Sequence, residues 1–259
     1  IDLPLRKAPD GLRGLPFAKG MPSMVGYVFV TGLVLFPFGF FSASVKEQDF
    51  ESNLPLESMY LVSLAILVLS LFLLYFYRDP QRTIESGIVS PADGLVQRAE
   101  IKKGMVYFSI FMNVHNVHVN RSPFDGRIIS IKHKSGGYLP AFSKDSDKNE
   151  RLLTKIETPI GVMKIIQIAG VLVRRIVSYV KPNSEVAKGE RIGLIHFGSR
   201  VDLSFESAGI DLSVKKGDKV LAGQRLANYT PLSSLSTSEK IFEVPKRMFS
   251  KLQASQSED

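Results

Sequence analysis

The hydrophobic and polar positions divide this chain into two parts with different patterns. In the N-terminal part, Met24–Ala43 and Met59–Tyr77 are long apolar runs without a charged side chain. As an α-helix, each run would extend about 30 Å, which matches the hydrocarbon thickness of a bilayer. Buried soluble helices normally carry a polar stripe, so the pattern favours a two-helix transmembrane hairpin over residues 24–77.

Charges around the hairpin predict its orientation. Basic residues flank the two runs, whereas the connecting loop 44–58 is mainly acidic; the flanking residues are Arg6, Lys7, Arg13, Lys19, Arg78 and Arg82. Cytoplasmic segments of membrane proteins are enriched in Lys and Arg. We therefore expect residues 1–23 and the chain after the hairpin to lie on the cytoplasmic side of the inner membrane, with loop 44–58 outside.

After Asp79 the pattern changes to short segments rich in Ile, Val, Phe and Tyr, bounded by Gly, Pro, Asn and Ser. Such segments predict strands of a mainly antiparallel β domain over residues 78–230; they are Met105–Met112, Gly126–His133, Gly161–Ile168 and Arg191–Phe197. The stretch Gly209–Ala227 resembles the hairpins of lipoyl and biotinyl domains, with turns at Gly217 and Gly223. A binding module of that kind is therefore one alternative. Residues 231–259 form a polar, serine-rich tail.

Charge and cysteine content narrow the classes of partner and chemistry. The chain has 33 Lys and Arg against 25 Asp and Glu, a formal charge of +8, and a pI of about 9.5. This balance suits an anionic membrane surface. The basic residues are scattered and form no aromatic-basic recognition motif, which argues against nucleic acid as the partner. Absence of cysteine excludes disulfides and thiolate catalysis.

The Gly198-Ser199 pair carries the first candidate chemistry. It does not match the Gly-x-Ser-x-Gly elbow of serine hydrolases, because Val201 stands where the second glycine belongs. A serine directly after glycine places its hydroxyl beside an unhindered peptide carbonyl, which suits an N-to-O acyl shift. Most Gly-Ser pairs are simple turns, so this pair alone does not establish self-cleavage.

A second candidate site involves Asp93, His115 and His118. Two histidines and one carboxylate form a known type of zinc set, so a membrane-tethered zinc metallopeptidase is the main alternative function. The chain lacks a His-Glu-x-x-His motif, and a peptidase would leave the Gly-Ser pair unexplained. His133 and His196 are expected to be ordinary solvated or packed histidines.

Several motifs in a fixed order point to a family; they are Tyr75–Arg82, Ser90–Gly94, Phe111–Pro123, Gly137–Arg151, Ala169–Val177 and the Gly198-Ser199 pair within Arg191–Asp202. Together they resemble the pyruvoyl-dependent phosphatidylserine decarboxylases in their short, membrane-anchored form. The resemblance extends from about Tyr75 to Leu226, which is most of the chain outside the predicted hairpin.

This resemblance implies a proenzyme that cleaves itself between Gly198 and Ser199. Asp93, His118 and Ser199 would form a relay in which His118 activates the serine and Asp93 orients the histidine. Ser199 would become the pyruvoyl cofactor without a metal, and the mature enzyme would consist of residues 1–198 and 199–259. The pyruvoyl group would form a Schiff base with phosphatidylserine and release CO2 to give phosphatidylethanolamine.

The remaining assignments concern the substrate. By the same resemblance, His115 would act in the decarboxylation as an acid or by positioning the substrate carboxylate. Candidate phosphate ligands are Arg121, Lys144, Arg174 and Arg175. The expected partners are phosphatidylserine or a related serine phospholipid and the lipid bilayer, and a homo-oligomer stays open.

Overall fold

The structure is a computed structural model that describes residues 17–19, 21, 23–44, 56–137, 149–170, 176–196 and 199–230. The chain separates into two compact units, with the division between Pro80 and Gln81. We call Leu15–Pro80 the helical unit and the part from Gln81 onward the β unit.

The helical unit contains α1 (Ser23–Ser44) and α2 (Leu56–Phe76). The two helices approach closely at Gly32, where an added Cβ would lie 3.1 Å from the Cα of Leu67. Nearby, the hydroxyl of Ser70 donates a hydrogen bond to the carbonyl of Val28 at 3.1 Å. Gly32 thus allows the two helices to approach closely, and the Ser70 hydroxyl adds a hydrogen bond between them.

Both predicted helices are present, but the transmembrane part of that prediction is not supported. Within the ranges given above, no helix is both long enough and apolar enough to cross a membrane. The helical unit nevertheless carries many exposed large apolar side chains on both helices, among them Met24, Tyr27, Leu33, Leu61, Val68, Leu69 and Phe72.

The β unit consists of short antiparallel strands. In chain order they are β1 (Ile88–Val89), β2 (Gly94–Lys102), β3 (Met105–Met112), β4 (Val119–Arg121), β5 (Gly126–Lys134), β6 (Arg151–Thr158), β7 (Gly161–Ile168), β8 (Ile176–Ser178), β9 (Glu185–Val186), β10 (Arg191–Ile195), β11 (Ser199–Glu206), β12 (Ile210–Leu212), β13 (Lys219–Val220) and β14 (Arg225–Tyr229). The predicted mainly antiparallel β class is therefore confirmed.

The strands form one large sheet and two small ones among the residues described. The large sheet has the order β13-β2-β3-β11-β7-β6-β5-β9, and the small sheets have the orders β4-β10-β8 and β1-β14-β12. Alternating side chains of the large sheet face a common core that includes Phe108, Ile110, Ile165, Val201 and Leu203. The period of two in apolar residues thus produces a single buried face.

Strand positions agree closely with the sequence pattern. The structure has the predicted strands Met105–Met112 and Gly161–Ile168 with the same bounds. The strand that begins at Arg191 ends at Ile195, and Phe197 lies outside the described residues. The lipoyl-like stretch forms β12, β13 and β14, and Gly217 and Gly223 adopt the positive φ values of 98° and 92° that tight turns require. The tail 231–259 also lies outside the described residues.

Candidate active site

Three neighbouring strands of the large sheet, β2, β3 and β11, position two of the predicted catalytic residues, Asp93 and Ser199. Ser199, the first residue of β11, is in register with Met112, the last residue of β3. On the other side of β3, Leu95 of β2 is in register with Phe111. Asp93 immediately precedes β2, so Asp93 and Ser199 flank the end of β3 at the same sheet edge.

The turn that carries Asp93 is held close to the sheet. Gly94 has no space for a side chain, because an added Cβ would lie 2.1 Å from the carbonyl oxygen of Phe111. The Ser90 hydroxyl donates to the carbonyl of Ala92 at 2.6 Å, and the Ser90 amide donates to the carbonyl of Gln224 at 2.7 Å. These contacts fix the turn that precedes β2.

Asp93 is buried and its carboxylate has two bonding partners. Its Oδ1 accepts a hydrogen bond from the amide of Ala222 at 2.8 Å. Its Oδ2 accepts from the guanidinium of Arg82, which forms an ion pair with it. A buried carboxylate needs this kind of compensation, since an unpaired charge in the interior is costly. In this structure, therefore, the bonds of Asp93 run to Arg82 and Ala222.

His118 is completely buried, with 0% of its surface exposed. Its Nδ1 lies 2.9 Å from the carbonyl oxygen of Asn116. A carbonyl only accepts hydrogen bonds, so Nδ1 carries the proton and Nε2 is the basic nitrogen. The tautomer that a general base needs is thus set by a backbone carbonyl, whereas the resemblance assigns that task to Asp93.

Backbone contacts place His118 beside the segment that leads to the predicted cleavage site. Its carbonyl accepts a hydrogen bond from the amide of Ile195 at 3.2 Å. The preceding turn is fixed by Asn116, whose side-chain oxygen accepts from the amide of Asn113 at 2.8 Å. Gly198 and Phe197 lie outside the described residues. Ser199 follows them directly, so only residues 196–198 separate the predicted nucleophile from Ile195, which bonds to His118.

Ser199 is also 0% exposed. Its hydroxyl donates to the thioether sulfur of Met112 at 3.6 Å, and a second donor, the Nδ2 of Asn120, reaches the same sulfur at 3.6 Å. An uncharged pyruvoyl group, close in size to the serine that it replaces, fits this position without burying an additional charge. The buried surroundings would also keep solvent away from the carbonyl of such a group.

Other predicted site residues are placed differently. His115 is exposed on the turn between β3 and β4. Arg121 is buried, and its guanidinium donates to the carbonyl of Gly189 at 3.0 Å, which gives it a structural partner. Its role as a phosphate ligand stays a prediction. Three further candidates lie outside the described residues, namely Lys144, Arg174 and Arg175.

The two remaining histidines have the environments expected of ordinary side chains. His133 is half exposed and its Nε2 lies 2.9 Å from the carboxylate of Glu150. His196 is buried, with 2% of its surface exposed.

The metal-binding alternative is wrong in its geometry. Among the described residues, which include Asp93, His115 and His118, no three His, Asp or Glu side chains come together as a metal site. His115 is exposed on a turn and His118 is buried, while both carboxylate oxygens of Asp93 have protein partners. The spacing that suggested a zinc set therefore does not produce one.

Known proteins similar to this chain show its family. The sequence model of the phosphatidylserine decarboxylase family matches residues 69–228. The chain belongs to the phosphatidylserine decarboxylase family. This family is pyruvoyl-dependent, and the match does not support a zinc metallopeptidase. The match includes the lipoyl-like stretch, which is thus part of the decarboxylase domain.

Relatives occur in bacteria and archaea. A phosphatidylserine decarboxylase proenzyme of Streptomyces avermitilis is 48% identical over 153 residues, which cover 58% of this chain and 71% of the relative. One from Thermobifida fusca is 45% identical over 165 residues, covering 63% and 76% respectively. A provisionally named archaetidylserine decarboxylase proenzyme of Methanococcoides burtonii is 48% identical over 161 residues, covering 61% and 75%.

Some residues that contact Asp93, His118 or Ser199, or that contact those partners in turn, are not apparent as site residues from the sequence. They are Arg82, Met112, Asn116, Asn120 and Gln167. All but Gln167 lie within motifs that carry the family resemblance, so their presence in those motifs was an available signal. Gln167 lies on β7, just before the Ala169–Val177 motif, and the pairing of β7 with β11 brings it to the site.

Proposed function

We propose that this chain is the proenzyme of a decarboxylase that acts on serine phospholipids. It cleaves itself between Gly198 and Ser199 and converts Ser199 into a pyruvoyl group. The observation that carries this proposal is that Ser199 and His118 are both fully buried, with the His118 carbonyl bonded to Ile195 in the segment that leads to Ser199 and Nδ1 of His118 bonded to the Asn116 carbonyl. Membership of a pyruvoyl-dependent family supports the same conclusion.

In maturation, His118 accepts the proton of the Ser199 hydroxyl through Nε2. The serine oxygen bonds to the Gly198 carbonyl carbon, the peptide C–N bond breaks, and the released amine takes the proton. Elimination from the resulting ester frees the Gly198 carboxylate, and hydrolysis of the remaining dehydroalanine releases ammonia. Asp93 and Arg82 keep the adjacent turn in place during these steps.

In turnover, the pyruvoyl group supplies an electron-withdrawing carbonyl for the loss of CO2. His115 lies exposed on the turn that leads to His118, which suits a residue that meets the substrate from solvent or from a lipid surface. We assign to it the positioning of the substrate carboxylate or the delivery of a proton. The substrate headgroup is serine, which diacyl and ether lipids share; the names of the relatives include phosphatidylserine and archaetidylserine.

The chain would act at the cytoplasmic face of the inner membrane. Exposed apolar side chains cover both helices of the helical unit, a pattern that favours contact with lipid. A formal charge of +8 favours an anionic bilayer surface. The membrane thus supplies the lipid substrate and holds the enzyme near it.

The first prediction tests cleavage and cofactor. Purified wild-type protein should separate on a denaturing gel into residues 1–198 and 199–259, and intact mass should show a blocked, pyruvoyl-bearing C-terminal fragment. Ser199→Ala should stay uncleaved and folded, whereas the matched control Ser204→Ala, on the same strand, should cleave normally.

Carbonyl reagents provide a second measurement on the same preparations. Hydroxylamine should abolish decarboxylation, and prolonged chelator treatment should not. A stable full-length wild-type chain with an unmodified Ser199 would contradict the proposed function. Loss of activity on chelation that zinc restores would also contradict it.

A further inference from the structure

A pair of buried amide side chains lies beside Ser199 and is not used by the proposed mechanism. We call Asn120 of β4 and Gln167 of β7 the amide pair. Asn120 is 0% exposed and Gln167 is 1% exposed. The Nε2 of Gln167 donates to the Oδ1 of Asn120 at 2.7 Å, and Asn120 in turn donates from Nδ2 to Met112 Sδ.

The contact with Gln167 sets the direction of the Asn120 amide. Because the Gln167 nitrogen only donates, the Asn120 oxygen must face it and the Asn120 nitrogen must face the other way. That other side is the Met112 sulfur, which also receives the Ser199 hydroxyl. An N–H donor is therefore aimed at the immediate surroundings of the predicted nucleophile.

Gly193 leaves the space that the amide pair needs. It is in register with Asn120 on the neighbouring strand β10. An added Cβ at Gly193 would lie 3.0 Å from the Gln167 nitrogen and 2.6 Å from the carbonyl oxygen of Val177. A larger residue at position 193 would displace Gln167, so this glycine is needed for the observed packing of the amide pair.

The hydrogen bonding at this position is weak for a buried site. A thioether sulfur is a poor acceptor, yet it is the acceptor that the Asn120 Nδ2 and the Ser199 hydroxyl have among the described residues. The Oε1 of Gln167 is buried and has no hydrogen-bond partner among the described residues. Poorly satisfied buried polar groups cost about 1–3 kcal/mol each. Apolar side chains would serve stability better, so a role in the reaction accounts for the cost.

We propose that Asn120 is a catalytic hydrogen-bond donor in self-cleavage and that Gln167 is the residue that positions it. This inference rests on the proposed function. When His118 removes the serine proton, negative charge develops on Oγ, and it passes to the Gly198 carbonyl oxygen as the Oγ–C bond forms. The Asn120 N–H leaves the weak sulfur acceptor and donates to this charge. The peptide C–N bond then breaks, and the proton held by His118 goes to the Ser199 amine.

The experiment follows cleavage of the full chain during cell-free synthesis, so that it does not depend on the activity of the mature enzyme. Asn120→Ala should cleave about 10²-fold or more slowly than wild type, the scale seen when one donor to a developing oxyanion is removed. Asn149→Ala is the matched control, because Asn149 is an equally buried amide whose Nδ2 bonds the carbonyl of Ala169. The control should cleave at close to the wild-type rate.

Gln167→Glu tests the positioning role through the pH dependence of the cleavage rate. A purely structural role of Gln167 would not give this dependence. An ionised carboxylate at position 167 accepts hydrogen bonds only, so the Asn120 amide would turn its nitrogen toward position 167 and away from Ser199. A protonated carboxyl at that position donates again and restores the native direction. The cleavage rate relative to wild type should therefore rise as pH is lowered from about 8 to about 6, a range that a buried carboxyl can reach.

The outcomes separate this inference from the proposed function. If wild type cleaves and Asn120→Ala cleaves as fast as Asn149→Ala, the inference is overturned and the proposed function stands. If wild type does not cleave, the proposed function fails first. If Asn120→Ala shows no cooperative thermal unfolding, Gln167→Glu decides, and a relative rate that does not change with pH overturns the inference.

Discussion

His115 and His118 lie close together in sequence but in opposite environments. His118 is fully buried and its Nδ1 is committed to the Asn116 carbonyl, whereas His115 is exposed on the turn. A base for a buried serine must itself be buried, and a group that meets an incoming lipid must be accessible. This difference in burial favours separate tasks for the two residues.

We therefore expect the two histidine variants to separate maturation from turnover. His118→Ala should accumulate uncleaved precursor, because no base remains to activate Ser199. His115→Ala should still cleave, at least partly, but lose about 10²-fold or more in decarboxylation, as is usual when a general acid is removed. Cleavage is measured by gel, and CO2 release is measured from a labelled headgroup in the same preparations.

Asp93→Asn extends this prediction. It removes the charge that pairs with Arg82 while keeping the shape of the side chain, and the precursor should accumulate. The reverse pattern for the histidines, in which His115→Ala blocks cleavage and His118→Ala cleaves normally, would require their roles to be exchanged.

At the scale of residues, the sequence predicted which residues belong to the candidate site better than it predicted the contacts that they make. The resemblance identifies Asp93, His118 and Ser199, and the structure brings Asp93 and Ser199 to one sheet edge and His118 next to Ile195. The partners of Asp93 and the orienting carbonyl of Asn116 could not be predicted. Ala222 is 129 residues from Asp93 along the chain, so that contact depends on how distant turns pack together. Asn116 is close to His118 in sequence, and its carbonyl reaches the ring only because of the conformation of the intervening turn.

At the scale of elements, the close approach of β2 and β3 at Gly94 determines where the Asp93 turn lies. An added Cβ would be 2.1 Å from the Phe111 carbonyl oxygen, which is backbone and cannot rotate away. The turn and the end of β3 must then move apart. Because Met112 follows Phe111 and contacts Ser199, such a movement would reach the nucleophile.

Gly94→Ala should therefore destabilise the β unit by about 3 kcal/mol or more and slow self-cleavage. Gly217→Ala is the matched control. It also lies at a turn, with a φ of 98°, but nothing stands within 4 Å of the added Cβ. Only backbone strain of about 1 kcal/mol is expected there, with normal cleavage. Thermal unfolding and a cleavage gel measure both effects, and equal behaviour of the two variants would contradict the argument.

The strands themselves were largely predictable, since alternation of apolar residues and bounding Gly or Pro residues indicate them locally. Their order in the sheet was not. β11 lies between β3 and β7, which precede it by long stretches of chain. Pairing of this kind depends on the whole core, and it is this pairing that brings Gln167 and Met112 to the same place.

At the scale of the whole molecule, the helical unit presents apolar side chains to its surroundings. Leu61 and Leu69 of α2 are more than half exposed, at 61% and 51%. Such a surface is costly in water and gains free energy when a lipid layer covers it.

Replacing Leu61 and Leu69 together by Asp should lower binding to vesicles of mixed neutral and anionic lipid by more than about tenfold. The matched control replaces Ile101 and Val162 by Asp; these residues are exposed on the β unit, at 48% and 40%. The control should bind as wild type does. Vesicle co-sedimentation measures both proteins, and equal loss in the two would show that the helices have no special role.

The position of Ser199 at the start of β11 has a consequence for how the mature enzyme persists. The bond that we propose is cut lies at the beginning of a strand that is hydrogen-bonded along both sides, to β3 and to β7. A single break there exposes no new strand edge. The backbone hydrogen bonds between β11 and its two neighbours, which form in the precursor, therefore hold the two products together. Activation would then require no rearrangement, and fragments synthesised separately would have to fold together to regain the structure.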